Sequence, residues 1–225
     1  LRAAVITRPT DRLRDAASLI LLRGPARDPR VLLGRRAASN RFMPGMYVFP
    51  GGILQREDFT AGAAGALRAD CVARMGVRGD AGRAAALAKA AVREALEETG
   101  VMLGEPGDAG GELTEPGWRL VRSTGRRPAL GKMTYLGRAL TPTGMPLRFN
   151  ARFFIAPAAA AHGEAADSDE LSDLRWLRPT EWRALPMVSI TAYILNNFTA
   201  IQHRAATGQA FIYRHNGHRA TVVWR

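Results

Sequence analysis

The stretch Arg93-Glu-Ala-Leu-Glu-Glu-Thr-Gly-Val101 decides how the rest of the chain is read. Its carboxylates, Glu94, Glu97 and Glu98, stand at i, i+3 and i+4, so a helix puts them on one face within roughly 100° of arc. Val92, Ala95 and Leu96, with Ala85 and Ala88 one or two turns earlier, fall on the opposite side. The expected helix therefore has a buried alanine-rich stripe and a solvent-facing wall of negative charge. Acids this close repel one another. A dication relieves the repulsion, and hard oxygen ligands suit Mg²⁺ or Mn²⁺. An ordinary charged helix face can show the same pattern, so the meaning of these acids depends on their surroundings.

Upstream, Gly79-Asp80 offers a break and an N-cap, so this helix runs from about 81 to 99. Gly100 is placed to end it in the left-handed conformation. Residues 63–75, rich in alanine and arginine, read as another helix. Tyr47-Val48-Phe49 reads as a short strand, stopped by Pro50 and opened into a turn by Gly51 and Gly52. Residues 16–22 and 31–33 are apolar runs that pair as a hairpin around Gly24-Pro25 and Asp28-Pro29. Residues 35–44 form a basic loop.

Downstream, residues 104–117 carry five glycines and read as a loop leading to a short helix near 115–121. Strands are expected at 133–140, 149–156 and 174–177, with an acidic, small-residue loop at 158–169. Pro179 starts a helix, and 189–207 reads as one amphipathic helix. Asn216-Gly217, flanked by His215 and His218, lies between two β-rich runs and marks a hairpin. Strands, a long acidic helix, more strands, a long helix and a hairpin make an α+β plan with helices packed on a mixed sheet. No GxGxxG follows a strand, which argues against a dinucleotide-binding Rossmann fold.

The 225 residues suffice for a single domain over 1–225, and 47% hydrophobic with 23% charged residues makes it globular. Cys71 is the lone cysteine, so an internal disulfide is impossible; a buried thiol and a reducing cytoplasm are expected. No apolar run approaches 18 residues, and the first residues lack the long apolar core of a signal peptide, so no membrane association is expected. The net charge of +12 is carried almost wholly by arginine, since Lys89 and Lys132 are the only lysines. Guanidinium in excess suits a phosphate-rich ligand or nucleic acid, although an arginine-rich coding bias gives the same balance. The four histidines have no cysteine pair beside them and make no zinc site. Trp176, Trp182, Tyr193 and Phe198 are read as core.

Arg93-Glu94-x-x-Glu97-Glu98-x-Gly100-Val101 resembles the second half of the Nudix box. That box runs Gly, five residues, Glu, seven residues, Arg-Glu-aliphatic-x-Glu-Glu-x-Gly-aliphatic. Gly52 fits its first position, with Asp58 at the place of the first Glu. Arg93 follows Asp58 by 35 positions where the box has eight, which implies an insertion of 27 residues, centred on a helical segment at about 59–79. Strict spacing would instead choose Gly79, but Ala85 then occupies the acid's place and no strand precedes it. A second pattern is similar to that of the coenzyme A-cleaving branch: Leu32, Leu33, Arg36, Ala37, Arg41, Gly45, Phe49, Pro50, Gly51 and Gly52 match its fixed positions, and only its Thr is replaced, by Gly34. The segments 42–45, 148–154 and 175–179 resemble the peroxisomal acyl-coenzyme A-cleaving members of animals.

The resemblance covers about residues 15–200. It implies a Nudix α/β/α sandwich with a mixed sheet, the helical insertion, and a C-terminal helix and β-hairpin over about 189–225. It implies Mg²⁺ or Mn²⁺ held by Glu94, Glu97, Glu98 and the carbonyl of Gly52. Glu94 and Glu97 are its implied catalytic acids, Glu94 also taking a proton from the attacking water, and Arg93 fixes a box glutamate by a salt bridge. Arg36 and Arg41 are candidate anchors for substrate phosphates, including the 3′-phosphate of coenzyme A, and Gly51 lets the backbone approach the substrate. Glu164, Asp167, Asp169 and Glu170 lie in a loop where many family members keep an extra carboxylate. The expected activity is hydrolysis of a pyrophosphate bond in coenzyme A or acyl-coenzyme A. ADP-ribose, NADH or a capped RNA end are alternatives within the class, and a non-catalytic nucleotide-sensing or nucleic-acid-binding module is the rival outside it. Such a module can lose its carboxylates without penalty, and all three are kept here. The expected partner is a small nucleotide rather than nucleic acid, with a homodimer left open.

Overall fold

The apolar run at 16–22 leaves neither face of its strand to water, so it belongs inside a sheet covered on both sides. A computed structural model, which describes residues 13–25, 27–39, 43–145, 147–215 and 219–225, has it so. The chain forms β1 (Arg14–Arg23), β2 (Arg30–Arg36), β3 (Tyr47–Val48) and β4 (Gly51–Ile53), then α1 (Glu57–Thr60), α2 (Ala69–Arg74) and α3 (Ala81–Thr99). There follow β5 (Met102–Pro106), α4 (Pro116–Ser123), β6 (Arg126–Pro128), β7 (Thr134–Leu140), β8 (Phe149–Pro157), β9 (Ala161–His162) and β10 (Leu171–Leu177). The chain ends with α5 (Pro179–Trp182), α6 (Ser189–Asn196), α7 (Phe198–Ala206), β11 (Phe211–His215) and β12 (Ala220–Trp224).

The main sheet has the order β10-β2-β1-β8-β7-β11-β12, with β3 added to β2 and β4 to β1. It is mixed: β1 and β8 run parallel, as do β7 and β11, and the other pairs are antiparallel. Side chains alternate across it. Leu19, Leu21, Leu32, Tyr135 and Phe154 pack with α3, while Ile20, Val31, Leu33, Phe153 and Ile155 pack with α5, α6 and α7. This is the expected α+β sandwich, helices on both faces of a mixed sheet. A smaller sheet, β6-β5-β9, flanks it.

Local chemistry fixes the ends of α3. Asp80 accepts a hydrogen bond from the Arg83 amide at 2.9 Å, and Gly100 closes the helix at φ 72°. The expected solvent-facing wall of acid is not what forms. The inserted segment lies over the helix, and Ala61, Leu67, Cys71, Met75 and Val77 join the core beside it. Glu94 and Glu98 are buried, at 7% and 4% exposure, Glu94 against Gly52 of β4 and Glu98 against the Gly51 amide, with Ser168 of the acidic loop on its carbonyl.

Other expectations are also corrected. Gly51 and Gly52 form no turn; they pair with Ser18 and Ala17 as strand β4. The glycine-rich stretch after 104 begins inside strand β5, whose buried residues Met102, Leu103 and Gly104 are consecutive and display no alternation. Residues 63–75 are helical only over α2, because Ala64 hydrogen-bonds the segment 128–130 instead. The long C-terminal helix divides at Asn197, which leaves helical geometry at φ −113° and ψ 20°; its backbone and side-chain amides both donate to the Tyr193 carbonyl, at 3.1 and 2.9 Å. Trp182 and Phe198 are core residues, whereas Trp176 and Tyr193 are only half-buried. The hairpin of β11 and β12 forms, its Asn216-Gly217 turn and His218 lying outside the described residues. Among the described residues no helix is long and apolar enough to cross a membrane.

Candidate active site

Arg93 is fully buried, and one guanidinium there meets three carboxylates. Nε and Nη2 donate to Asp58 at 3.0 and 3.2 Å in a two-pronged pair, and Nη2 also reaches the Ile53 carbonyl at 3.0 Å. Nη1 donates to Glu94 at 2.7 Å and more loosely to Glu97, at 3.3 and 3.5 Å. Burial alone would lower the proton affinity of this guanidinium, but Asp58 and Glu94 more than reverse it. Glu98 does not touch Arg93 in this arrangement; its Oε2 accepts the Gly51 amide at 2.7 Å.

The three helix acids have more negative charge than their neighbours neutralise. Burial pushes the Glu94 carboxyl up to about 7, with Arg93 opposing. Burial raises Glu97 as well, again against Arg93. Glu98 is raised well above the usual carboxylate value: burial comes first, the Gly51 amide resists it, and the charges of Glu94 and Glu170 add to it. All three also feel Glu170. Among the described residues no three acidic, histidine or cysteine side chains are gathered to hold an ion as they lie, since two of the acids face Arg93 and the third an amide. The donor chemistry nevertheless fits a hard dication: oxygen ligands only, half-buried or buried, crowded, and short of positive charge.

The expected companions are positioned around these acids to different degrees. Gly52 runs so close to Glu94 that a Cβ there would collide with its carboxylate, which explains a glycine in a strand. The Gly51 amide is already engaged by Glu98, so it has no N–H to spare for a ligand. Arg36, at the end of β2, acts on Glu98 through its charge and so faces the same region. Arg41 lies outside the described residues. Gly34 stands where the related pattern has Thr because its Cα abuts Leu171 and Leu174; an added Cβ would come within 2.8 Å of Leu174.

In the acidic loop the structure separates four residues that look alike in sequence. Asp167 takes the amides of Asp173 and Leu174, at 2.9 and 3.0 Å, and so holds an irregularity in β10. Ser168 Oγ donates to the carbonyl of Glu98 at 2.9 Å, and the Ala166 amide to that of Thr99 at 3.0 Å, so the loop caps the end of α3. Glu170 alone of the four is felt by all three helix acids.

Sequence reasoning missed the role of the segment 114–118. Glu57 accepts the amides of Thr114 and Glu115 and the Thr114 hydroxyl, and this holds the approach to α4. Asp58 accepts Trp118 Nε1 at 2.9 Å and the Gln55 amide at 2.7 Å besides Arg93. Asp58 is thus a joint between α1, α3 and α4 rather than an open ligand. A buried tryptophan with one N–H needs an acceptor, and that need was the available signal.

No protein-family model matches the chain. It is 27% identical over 186 residues to a Caenorhabditis elegans protein named "Putative nudix hydrolase 7", covering 78% of this chain and 55% of that one, so it spans about half the length of that relative. The crystal structure of a NUDIX hydrolase from Alicyclobacillus acidocaldarius superposes with a TM-score of 0.63 at 27% identity, over 84% of this chain and 92% of the other. The NUDIX domain of Shewanella oneidensis NrtR, complexed with ADP ribose, matches in fold with a TM-score of 0.50 at 12% identity, over 85% and 89% of the two chains. The fold is the Nudix fold, and the likeness to Nudix hydrolases extends to sequence.

Proposed function

We propose that this Nudix-fold chain is an enzyme, a divalent-metal-dependent hydrolase that cleaves a pyrophosphate bond in a nucleoside diphosphate derivative, with coenzyme A or acyl-coenzyme A as substrate. The observation that carries this reading is the cluster of Glu94, Glu97 and Glu98, with Glu170 beside it, in which Glu94 and Glu97 share one guanidinium with Asp58 and, among the described residues, the Glu98 carboxylate has only the Gly51 amide as its hydrogen-bond partner. Mg²⁺ or Mn²⁺ bound there supplies charge neutralisation of the phosphate oxygens and an acidified water.

The chain's own residues do the remaining work. Glu94, Glu97 and Glu98 are the proposed ligands, with the carbonyl of Gly52 as a further oxygen. Glu94 is the proposed base for the attacking water. Arg93 orients Glu94 through its 2.7 Å hydrogen bond and is itself held by Asp58. Arg36 and Arg41 are proposed to anchor the phosphates, and the positive charge of Arg36 near Glu98 supports the first of these. The coenzyme A specificity rests on the pattern from Leu32 to Gly52. The products would be a phosphopantetheine, acylated where the substrate is, and an adenosine bisphosphate.

The test is a panel of coenzyme A, acyl-coenzyme A, ADP-ribose, NADH and capped RNA with Mg²⁺ or Mn²⁺, products resolved by mass. Coenzyme A cleaved at its pyrophosphate bond, with loss of turnover in chelator and recovery on adding the ion, supports the reading. Preference for another member of the panel moves the specificity. Binding of nucleotide with no turnover of any would replace the enzyme with a sensor.

A further inference from the structure

Glycine inside a helix is worse than alanine by about 1 kcal/mol. Gly117 lies in the first turn of α4 without a positive φ, so its backbone needs no glycine. Space is what needs it. A Cβ on Gly117 would fall inside the Glu97 carboxylate and would stand 3.0 Å from Arg93 Cδ. Glu97 therefore rests in a slot with the guanidinium of Arg93 on one side and the bare Cα of Gly117 on the other. Helix α4 has little freedom to retreat. Trp118, the next residue, is fully buried and tied to Asp58, and Glu57 grips the amides just before the helix. Beside the slot lies a cavity of about 330 Å³, lined by Gln55, Glu97, Pro116, Gly117 and Leu120, which gives Glu97 room to leave.

We propose that Gly117 is a positioning residue: its missing side chain provides the resting place of Glu97 on Arg93, and the acid quits that place when a divalent ion binds. The inference rests on the reading that these acids hold such an ion. The resting place competes with the ion for Glu97, so it weakens apparent ion affinity by the fraction of time it is filled.

The chain and its Gly117→Ala variant are titrated with Mn²⁺ in the absence of substrate, free ion being followed by electron paramagnetic resonance. The added methyl closes the slot, and Mn²⁺ then binds roughly three- to tenfold tighter. In a Glu97→Asp background the shorter acid cannot fill the slot, and adding Gly117→Ala leaves affinity within about twofold. A folded Gly117→Ala chain that binds Mn²⁺ no more tightly than the parent overturns the proposal, as does an equal gain in the Glu97→Asp background. Crystals of the parent grown with and without Mn²⁺ give an answer that needs no variant: Glu97 rests against Gly117 only in the ion-free form. The same position in both forms overturns the proposal. If the parent binds no Mn²⁺ at all, the functional reading fails along with it, whereas tight parental binding with an indifferent Gly117→Ala would sink this inference alone.

Discussion

Lys89 and Arg93 stand one turn apart on α3, both buried, and they end on opposite kinds of partner. Lys89 Nζ donates to two neutral carbonyls, Ala61 at 2.6 Å and Phe59 at 3.4 Å. Burial pulls its pKa below the ordinary lysine value, and Asp58 only partly restores it. Arg93 ends on Asp58, Glu94 and Glu97, which hold its proton more firmly than water does. The lysine fastens a length of chain; the arginine fastens a set of charges. One helix face thus serves the insertion at its middle and the candidate site at its end, and the two duties should separate by mutation.

The largest separation is expected at Glu98. Its burial already penalises the charged form, so the neutral Glu98→Gln side chain costs the fold little, and the thermal midpoint should stay level or rise. Turnover of the panel's best substrate should fall on the order of 10²- to 10⁴-fold. A mutant that keeps parental turnover would remove the helix acids from the chemistry. Next comes Arg93→Leu, which leaves Asp58 buried without its cation. Denaturant unfolding should show a loss of roughly 3–5 kcal/mol, and Asp58→Asn in the same chain should recover part of it. Equal stability of Arg93→Leu and parent would mean that the Arg93–Asp58 pair holds nothing together.

The fold was legible where short-range rules are strong. Asp80 and Gly100 bound α3 as capping chemistry requires, the apolar runs became β1 and β8, and the two β-rich runs flanking Asn216-Gly217 became the hairpin strands β11 and β12. It was illegible where a distant segment decides. Nothing within Arg93–Val101 tells that β4 will lie against it, so Glu94 and Glu98, read as a wet surface, are buried. β4 exists because Gly51–Ile53 finds β1, and β5 because Met102–Pro106 finds β6 and β9. At the site, spacing brought out Glu94, Glu97, Glu98 and Arg93 because one helix carries them all. Gly117 and Trp118 reach the same place from α4, and a glycine in a glycine-rich stretch looks like punctuation until its neighbour is seen to be Glu97.

The smallest expected effect belongs to Lys89→Met, which probes the other half of the comparison. Methionine fills similar space but leaves the carbonyls of Ala61 and Phe59 without their donor, while removing a buried charge. These oppose each other, and the net loss near pH 7 should be about 1–2 kcal/mol, with Mn²⁺ affinity unchanged. The pH dependence gives the sign. The folded pKa of Lys89 lies below its ordinary value of 10.5, so between the two the unfolded chain holds more protons than the folded one. Unfolding free energy attributable to Lys89 therefore rises with pH through that window. The parent should gain on Lys89→Met as the solution approaches pH 10, measured as the difference between their urea midpoints at each pH. A gap that narrows instead would mean that the ammonium is stabilised in the fold. The two cations of α3 would then be doing the same job.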